Sequence, residues 1–461
     1  MIAESDRARK TTIWFATALL PRGWAQRVRV EISNGRIAAV TTDTDPAPED
    51  ERAAIGLPGM PNLHSHAFQR AMAGLAERRG SEGDSFWTWR EAMYRFVDRL
   101  GPEELEAIAA FAYVEMLEAG FTRVGEFHYL HHAPDGRPYA DLAEMSSRIA
   151  AAASTAGIGL TLLPVFYAHG GFGGAPPDPG QRRFLNDVER FARLLDGART
   201  AVAKLGDARV GVAPHSLRAV TPEELDAIAQ LADGAPVHIH AAEQVREVEE
   251  CLAALGARPV EWLLDHAPVD ARWCLVHATH MTSGETMRLA QSGAVAGLCP
   301  ITEANLGDGI FNAAEYLRAG GAFGIGSDSN VRIDLAEELR LLEYGQRLAR
   351  RERNVLADHG GRSTGRMLFE HALEGGARAL GVECGIRIGA SADLIALDAN
   401  HPSLIERDGD GLLDGWIFAA AGTAIDRVWR GGSRVVAAGR HVRRATVTAR
   451  YREALRRALD R

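Results

Sequence analysis

The sequence has few cysteines and no long hydrophobic run, and each shortage excludes a class of protein. Its 461 residues include four cysteines, and none has the spacing of a metal-binding motif. Such sparse use predicts reduced thiols and a cytoplasmic protein. The first residues contain no apolar segment of the signal-peptide kind, and no later run is long enough to cross a membrane. We therefore expect neither secretion nor a membrane partner.

The chain also has no excess of positive charge. The chain carries 52 basic and 61 acidic residues, a formal net charge of −9, and the basic residues form no stripe. Nucleic acid is therefore excluded as a partner. A composition of 46% hydrophobic and 25% charged residues is that of a globular protein with a large core.

The middle of the chain alternates apolar strands with amphipathic helices. We predict eight strands, at Leu57–His66, Thr122–His128, Gly159–Phe166, Arg209–His215, Pro236–Glu243, Trp273–Thr279, Ala294–Cys299 and Ala322–Asp328. Strands rich in Val, Ile and Leu that alternate with helices predict an α/β fold with a parallel sheet. Eight repeats favour a TIM-like (β/α)8 barrel over residues 57–380. The longest insertion, Ala67–Gly101, follows the first strand, where barrel enzymes bind substrate.

Both ends of the chain contain short β-like stretches. They cover residues 12–18, 27–32 and 36–41 near the start and 392–398 and 425–430 near the end. Neither end has enough strands for a stable sheet of its own. We therefore predict one small β-sandwich domain built from residues 1–56 and 381–461, with a C-terminal helix over Val447–Leu459.

Two histidines one residue apart end the first predicted barrel strand. Alternate side chains of a strand point the same way, so His64 and His66 should project together. Two converging imidazoles provide half of a divalent-metal site. Taken alone, the pair could equally be two polar residues at the end of a strand.

Further ligand-type side chains end four other strands. His215 ends the fourth, His240 and Glu243 the fifth, His277 the sixth and Asp328 the eighth. Each could singly be a core or rim residue, and Glu243 could be the acid of a helix's first turn. Because the C-terminal ends of barrel strands meet at one face, the set together predicts a metal site.

These segments resemble the amidohydrolase superfamily over nearly the whole chain. The resemblance lies in Pro61–His66, His240–Glu243, His277, Gly326–Asp328 and Ala390–Asp398. It implies a divalent metal ion held by His64, His66, His240 and Asp328. Binuclear members bridge two ions with a carboxylated lysine after the fourth strand, where this chain has no lysine. The expected cofactor is therefore one ion, with Zn²⁺ favoured, although the residue types also suit Fe²⁺ and Mn²⁺.

The residue types predict hydrolysis at an electrophilic carbon that bears nitrogen. A bound Zn²⁺ lowers the pKa of its water to about 7. Asp328 can accept the water's proton, and His277 can polarise the group under attack. Glu243 can carry a proton to the leaving nitrogen.

The other loops predict a small acidic substrate. A purine pocket would offer apolar walls and amides, whereas this chain places basic and phenolic groups after its strands. The candidate substrate-binding residues are Gln69, Arg90, Tyr129, His215 and Arg218. Arginine is the natural partner of a carboxylate, because its fork donates two parallel hydrogen bonds. Singly, the arginines could be solvated surface charges and Tyr129 could be barrel packing.

Together with Cys299–Gly309, these residues resemble the family of N-formimino-L-glutamate deiminases of histidine degradation. The resemblance implies hydrolysis of N-formimino-L-glutamate to N-formyl-L-glutamate and ammonia, and a homodimer. It also implies that the five candidate binding residues hold the glutamate part. The alternatives are another mononuclear deaminase, acting on guanine, cytosine or an adenosine derivative, a metal-dependent amidase or chlorohydrolase, and a non-catalytic barrel scaffold.

Overall fold

Antiparallel strands lie near both ends of the chain, and parallel strands lie between them. A computed structural model describes residues 11–77, 85–357, 360–420 and 424–459. Its strands are β1 (Thr11–Leu20), β2 (Gly23–Ser33), β3 (Arg36–Thr41), β4 (Glu51–Pro58), β5 (Met60–Ser65), β6 (Phe121–His128), β7 (Gly159–Phe166), β8 (Arg209–Val210), β9 (Ala213–Pro214), β10 (Val237–Ala241), β11 (Trp273–His277), β12 (Val295–Leu298), β13 (Ala322–Ile325), β14 (Leu394–Leu397), β15 (Ile425–Arg430), β16 (Ser433–Ala437) and β17 (Arg440–His441).

Helices separate most of the parallel strands. They are α1 (Phe86–Val97), α2 (Pro102–Glu118), α3 (Glu144–Ala156), α4 (Val188–Val202), α5 (Pro222–Leu231), α6 (Val245–Leu255), α7 (Pro259–His266), α8 (Ser283–Ser292), α9 (Pro300–Leu306), α10 (Ala313–Arg318), α11 (Leu335–Arg350), α12 (Thr364–Ala379), α13 (Asp410–Asp414) and α14 (Arg444–Leu459). In the part of the chain described, no helix is long and apolar enough to span a membrane.

The strands nearest the two termini form one eight-stranded sheet in the order β17-β16-β15-β14-β4-β1-β2-β3. Strand β4 joins the two ends, because it pairs parallel with β1 and antiparallel with β14. In β2, Val28, Val30 and Ile32 are buried and alternate with more exposed residues. That period of two buries one face of the strand.

The strands between them form two parallel sheets, as the alternation of strands and helices predicts. One has the order β5-β6-β7-β8, with β9 also pairing with β7, and the other has the order β10-β11-β12-β13. Their strands are almost wholly buried, which is typical of parallel sheets covered by helices. Single parallel bridges, Ser65 with Asp328 and Val212 with Val237, connect the sheets.

Two of the predicted strands are divided by glycines. Gly59 separates β4 from β5, and a Cβ there would lie 2.4 Å from the Thr122 side chain. Gly211 separates β8 from β9, and a Cβ there would lie 2.5 Å from the Pro236 carbonyl oxygen. At both points the chain changes its hydrogen-bond partners, and only a residue without a side chain allows the close approach.

Helix starts agree better with the sequence. Thr221 caps α5 by accepting a hydrogen bond from the Glu224 amide, and Thr282 caps α8 in the same way. Of the insertion predicted over Ala67–Gly101, the structure describes the short turn Ala67–Met72 and α1, and residues 78–84 lie outside the described ones. The last helix, α14, begins at Arg444 rather than at Val447.

Helix α12 packs so closely on β13 that substitution of one glycine should be costly. A Cβ on Gly375 would lie 1.9 Å from the Phe323 carbonyl oxygen. We expect Gly375→Ala to lower the free energy of unfolding by about 1–3 kcal/mol or more, because overpacking forces the backbone to move. Chemical denaturation measures the change. The control Gly206→Ala meets no atom within 4 Å, and an equal loss in both variants would contradict the packing argument.

Candidate active site

Three histidine side chains converge where β5 and β10 end. The Nε2 atom of His64 lies 3.2 Å from Nε2 of His66 and 3.1 Å from Nε2 of His240. The same three residues form a group whose ligand atoms lie within 4.8 Å of one another. The strand alternation that predicts a common direction for His64 and His66 is therefore confirmed.

The opposite ring nitrogens of two of these histidines contact backbone carbonyls. Nδ1 of His66 lies 3.0 Å from the Phe127 oxygen, and Nδ1 of His240 lies 3.1 Å from the His215 oxygen. A carbonyl accepts, so each Nδ1 carries the proton and donates it. Each Nε2 then keeps its lone pair directed at the other histidines, which is the arrangement of a metal-binding imidazole.

Asp328 lies on the open side of the histidine group. It follows β13 by three residues, and one of its oxygens, Oδ1, is 3.3 Å from His66 Nε2 and 3.6 Å from His64 Nε2. Its backbone amide donates to the His64 carbonyl oxygen, and its carbonyl oxygen accepts from the His66 amide. These two bonds fix the last strand against the first.

The protonation states suit a cation. Burial lowers the pKa of His64 to about 3 and also lowers the pKa of His66 and of His240. Burial alone would raise the pKa of Asp328, but contact with His64 and the neighbouring histidines lowers it below its usual range. Three neutral imidazoles and one carboxylate form a donor set that fits a divalent metal ion.

His277 and Glu243 lie beside this group. Nε2 of His277 is 3.7 Å from an oxygen of Glu243 and 3.7 Å from Oδ2 of Asp328. Burial raises the pKa of Glu243, which favours a carboxyl group that can exchange protons near neutrality. Burial alone would lower the pKa of His277, but the surrounding carboxylates, Glu243 first, raise it well above its ordinary value.

The backbone is left-handed at several of these strand ends. His277, Ala278 and Asp328 have φ values of 67°, 49° and 45°, and Ala242 has 51°. Residues other than glycine adopt such angles at a cost of about 1–3 kcal/mol, and they cluster at functional sites. Here the turns direct His277 and Asp328 toward the histidine group.

A pocket opens above the histidines. Most residues that the sequence predicts for the site line it, namely His66, Gln69, Arg90, Tyr129, His215, Arg218, His240, Glu243, His277 and Asp328. The remaining one, His64, is fully buried and contacts His66 and His240. The structure therefore brings all of them together.

Two arginines in the pocket form no ion pair with a described carboxylate. Arg218 is 7% exposed, and its Nε has no hydrogen-bond partner. Among the described residues, no carboxylate lies within ion-pair distance of Arg218 or Arg90. Their contact is instead with the ring of Trp87, whose centroid lies 5.7 Å from the Arg218 guanidinium carbon and 4.5 Å from that of Arg90. Glu247 and Glu243 favour the charged form of Arg218 and raise its pKa, but neither forms an ion pair with it. Its buried Nε therefore still offers a hydrogen bond to a ligand carboxylate.

Phenolic hydroxyls add further donors. Tyr129 accepts from Gln69 Nε2 at 2.9 Å, and Tyr167 accepts from Gln181 Nε2 at 2.8 Å. Each hydroxyl is the acceptor in these bonds, which leaves the proton of Tyr129 for a ligand, whereas Tyr167 also hydrogen-bonds with Tyr94. His215 packs against both rings, with centroid distances of 5.8 Å and 4.7 Å. This part of the pocket is rich in donors, whereas the two acids Glu243 and Asp328 lie beside the histidines.

Sequence reasoning missed several pocket residues. Tyr167 directly follows β7, so the rule that barrel strand ends carry the chemistry could have found it. Tyr94 lies on α1 and Phe184 in a loop, and no local pattern distinguishes them. Glu303 lies on α9 within a segment already singled out, but only the structure shows its contact with His277.

A cluster of histidines and an aspartate that could hold a metal ion, beside a pocket at the C-terminal ends of parallel strands, is typical of metal-dependent hydrolases of the α/β class. The amidohydrolase family model matches residues 55–435, and the chain belongs to that family. A second model, described as the N-terminal domain of formimidoylglutamate deiminase HutF, matches residues 10–54.

Individual relatives agree with the family. The chain is 54% identical over 434 residues to a formimidoylglutamate deiminase of Pseudomonas aeruginosa, covering 94% of this chain and 96% of that one. It is 28% identical to a 5-methylthioadenosine/S-adenosylhomocysteine deaminase of Natronomonas pharaonis, covering 89% and 88%. A crystal structure of an amidohydrolase from Brucella melitensis superposes with a TM-score of 0.94 at 58% identity, covering 97% and 100%.

Proposed function

We propose that the protein hydrolyses N-formimino-L-glutamate to N-formyl-L-glutamate and ammonia. The observation that carries the proposal is the pairing of two features in one pocket. A three-histidine and aspartate group suits activation of water, and the unpaired Arg218 and Arg90 suit the two carboxylates of the substrate. The 54% identity to the Pseudomonas aeruginosa formimidoylglutamate deiminase supports the same substrate.

The proposed cofactor is one divalent ion, Zn²⁺, held by His64, His66, His240 and Asp328. Such an ion supplies an activated water, because it lowers the water's pKa toward neutrality. Four nitrogen and oxygen donors suit Zn²⁺, and the part of the chain after β9 offers no lysine for a carbamate bridge to a second ion.

The chain's own side chains move the protons. Asp328 accepts one proton from the water, and the oxygen adds to the formimino carbon. Nε2 of His277 faces the reacting oxygen and nitrogen and stabilises the charge that develops there. Glu243 gives a proton to the nitrogen, and as the C–N bond breaks the added hydroxyl loses its remaining proton, so that the carbon keeps the oxygen as a formyl group. That proton and the one held by Asp328 restore Glu243 and complete the ammonia that leaves. Arg218, Arg90, Tyr129, His215 and Gln69 hold the glutamate part throughout.

The pocket disfavours the purine and pyrimidine deaminase alternative. A neutral base needs no cationic anchor, and it would leave the buried Nε of Arg218 without a hydrogen-bond acceptor. A non-catalytic scaffold would not need three clustered histidines with Glu243 and His277 beside them.

We also propose that the two parallel sheets close into the (β/α)8 barrel over residues 57–380. The bridges Ser65–Asp328 and Val212–Val237 support closure, because they join the outer strands on both sides. For the terminal sheet we propose a sandwich over residues 1–56 and 381–461, whose first ten residues lie outside the described ones. Rings of Phe15 and Trp429 lie 6.0 Å apart, although β4 and β14 separate their strands and a flat sheet would place them about 14 Å apart. The homodimer and the cytoplasmic location stay predictions.

Ammonia release tests the function directly. We expect the Zn²⁺-loaded protein to release ammonia quickly from N-formimino-L-glutamate and not from guanine, cytosine or an adenosine derivative. Coupled ammonia assays measure all of them under one condition. Turnover of a base alone would overturn the assignment of the arginines, and no turnover with bound metal would overturn the substrate proposal.

Removal of metal should abolish turnover, because no side chain of the pocket activates water as strongly as a divalent ion. We expect dialysis against a chelator to remove one equivalent per chain and Zn²⁺ to restore activity. His240→Gln should lose both metal and activity, whereas the matched control His266→Gln, on the exposed end of α7, should keep both. Elemental analysis beside the assay measures this, and activity that persists without metal would contradict it.

A further inference from the structure

We infer that Glu303 is a positioning residue for His277, and that it decides which nitrogen of that ring works in the pocket. Oε1 of Glu303 lies 3.2 Å from Nδ1 of His277. Glu303 lies on α9, after β12, and is only 5% exposed. Its contact with His277 joins two neighbouring strands beneath the reacting centre.

The same Glu303 oxygen fixes the direction of the hydrogen bond. It accepts a second bond, at 2.9 Å, from the backbone amide of Cys299. A carboxylate oxygen that faces an amide N–H in this way is an acceptor. The proton between Glu303 and His277 therefore belongs to Nδ1 of the histidine.

With the proton on Nδ1 and the ring held there, the other nitrogen faces the pocket. Nε2 of His277 is buried without a hydrogen-bond partner and lies 3.7 Å from both Glu243 and Asp328. The left-handed backbone at His277 and Ala278 directs the side chain but does not fix the rotation of its ring. Glu303 supplies the missing restraint, since a carboxylate that accepts from Nδ1 sets the ring orientation of a histidine.

The inference rests on the proposed function for its kinetic test. Glu303→Leu removes the acceptor of the Nδ1 hydrogen bond, so the ring can rotate and Nε2 is no longer held toward the pocket. We expect kcat to fall by about 10²–10⁴-fold while KM stays within about threefold, because the groups that bind the substrate remain. Glu303→Gln keeps an amide oxygen that can accept from Nδ1. We therefore expect its kcat to be at least about tenfold higher than that of Glu303→Leu.

The matched control is Asn305→Ala, an exposed residue of the same helix, which should leave both constants unchanged. A second readout does not depend on turnover. Proton NMR of the Zn²⁺-loaded enzyme should show a low-field imidazole N–H signal that His277→Asn and Glu303→Leu both remove and Asn305→Ala keeps.

The two readouts separate failure of this inference from failure of the proposed function. If N-formimino-L-glutamate is not a substrate but the signal behaves as described, Glu303 still positions His277. A signal that survives Glu303→Leu, or a kcat within about threefold of wild type in that variant, would overturn the inference. If Glu303→Leu does not fold, Glu303→Gln decides through the position of the signal. A signal that moves upfield supports the contact, because a neutral amide oxygen is a weaker acceptor than a carboxylate, and a signal at the wild-type position would overturn the inference.

Discussion

Replacement of Glu243 by glutamine is expected to lower kcat by about 10³-fold and to leave the metal content unchanged. Glu243 is 5% exposed and lies 3.7 Å from Nε2 of His277. Glutamine keeps the size and the hydrogen bonding of the side chain but cannot give up and regain a proton. Because the departing nitrogen leaves poorly unless it is protonated, the loss should appear in kcat far more than in KM.

Steady-state kinetics with N-formimino-L-glutamate, alongside elemental analysis, measures both expectations for Glu243→Gln. The matched control is Glu249→Gln, an exposed carboxylate of the following helix, α6, which should behave as the wild type. A Glu243→Gln enzyme with a normal kcat would show that another group carries the proton. Loss of metal instead of kcat would place Glu243 among the ligands.

The candidate metal site, formed by His64, His66, His240 and Asp328, could be predicted because its geometry follows from local rules. Alternation along β5 places His64 and His66 on one side, and parallel strands place His240 and Asp328 at the same edge of the sheets. These rules need only the spacing of residues and the direction of the strands. They hold even though the structure divides the first predicted strand at Gly59.

Other features could not be predicted because they depend on contacts between distant segments. The break at Gly211 arises from the approach of Pro236, and nothing near Gly211 in the sequence signals it. The orientation of His277 depends on Glu303, 26 residues away. Tyr94 reaches the pocket from α1, in the insertion after the first strand. Such contacts follow from packing between elements, which a single sequence does not specify.

Replacement of Arg218 by methionine should lower kcat/KM by about 10²–10³-fold, because a buried charge pair loses one partner at a cost of about 2–5 kcal/mol. Methionine fills a similar volume and keeps contact with Trp87, so the pocket should retain its shape. We expect KM to rise and kcat to fall together, since a remote anchor also positions the reacting carbon.

The matched control for Arg218→Met is Arg246→Met. Arg246 contacts the same indole, at 4.4 Å from the Trp87 centroid, but its side chain is 60% exposed and pairs with Glu250. An equal fall in kcat/KM in both variants would show that the contact with the Trp87 ring matters, and that the charge in the pocket does not. Unchanged kcat/KM in Arg218→Met would rule out Arg218 as a carboxylate anchor.

A second substrate decides which carboxylate Arg218 binds. N-formiminoglycine has the α-carboxylate and the formimino group but no side-chain carboxylate. If Arg218 binds the side-chain carboxylate, Arg218→Met should reduce kcat/KM for N-formimino-L-glutamate and leave that for N-formiminoglycine nearly unchanged. If it binds the α-carboxylate, both values should fall by the same factor, and the preference between the two substrates should persist. The burial of Arg218 at 7% exposure and its unpaired Nε favour one of these two outcomes, because neither Glu247 nor Glu243, which favour its charged form, forms an ion pair with it.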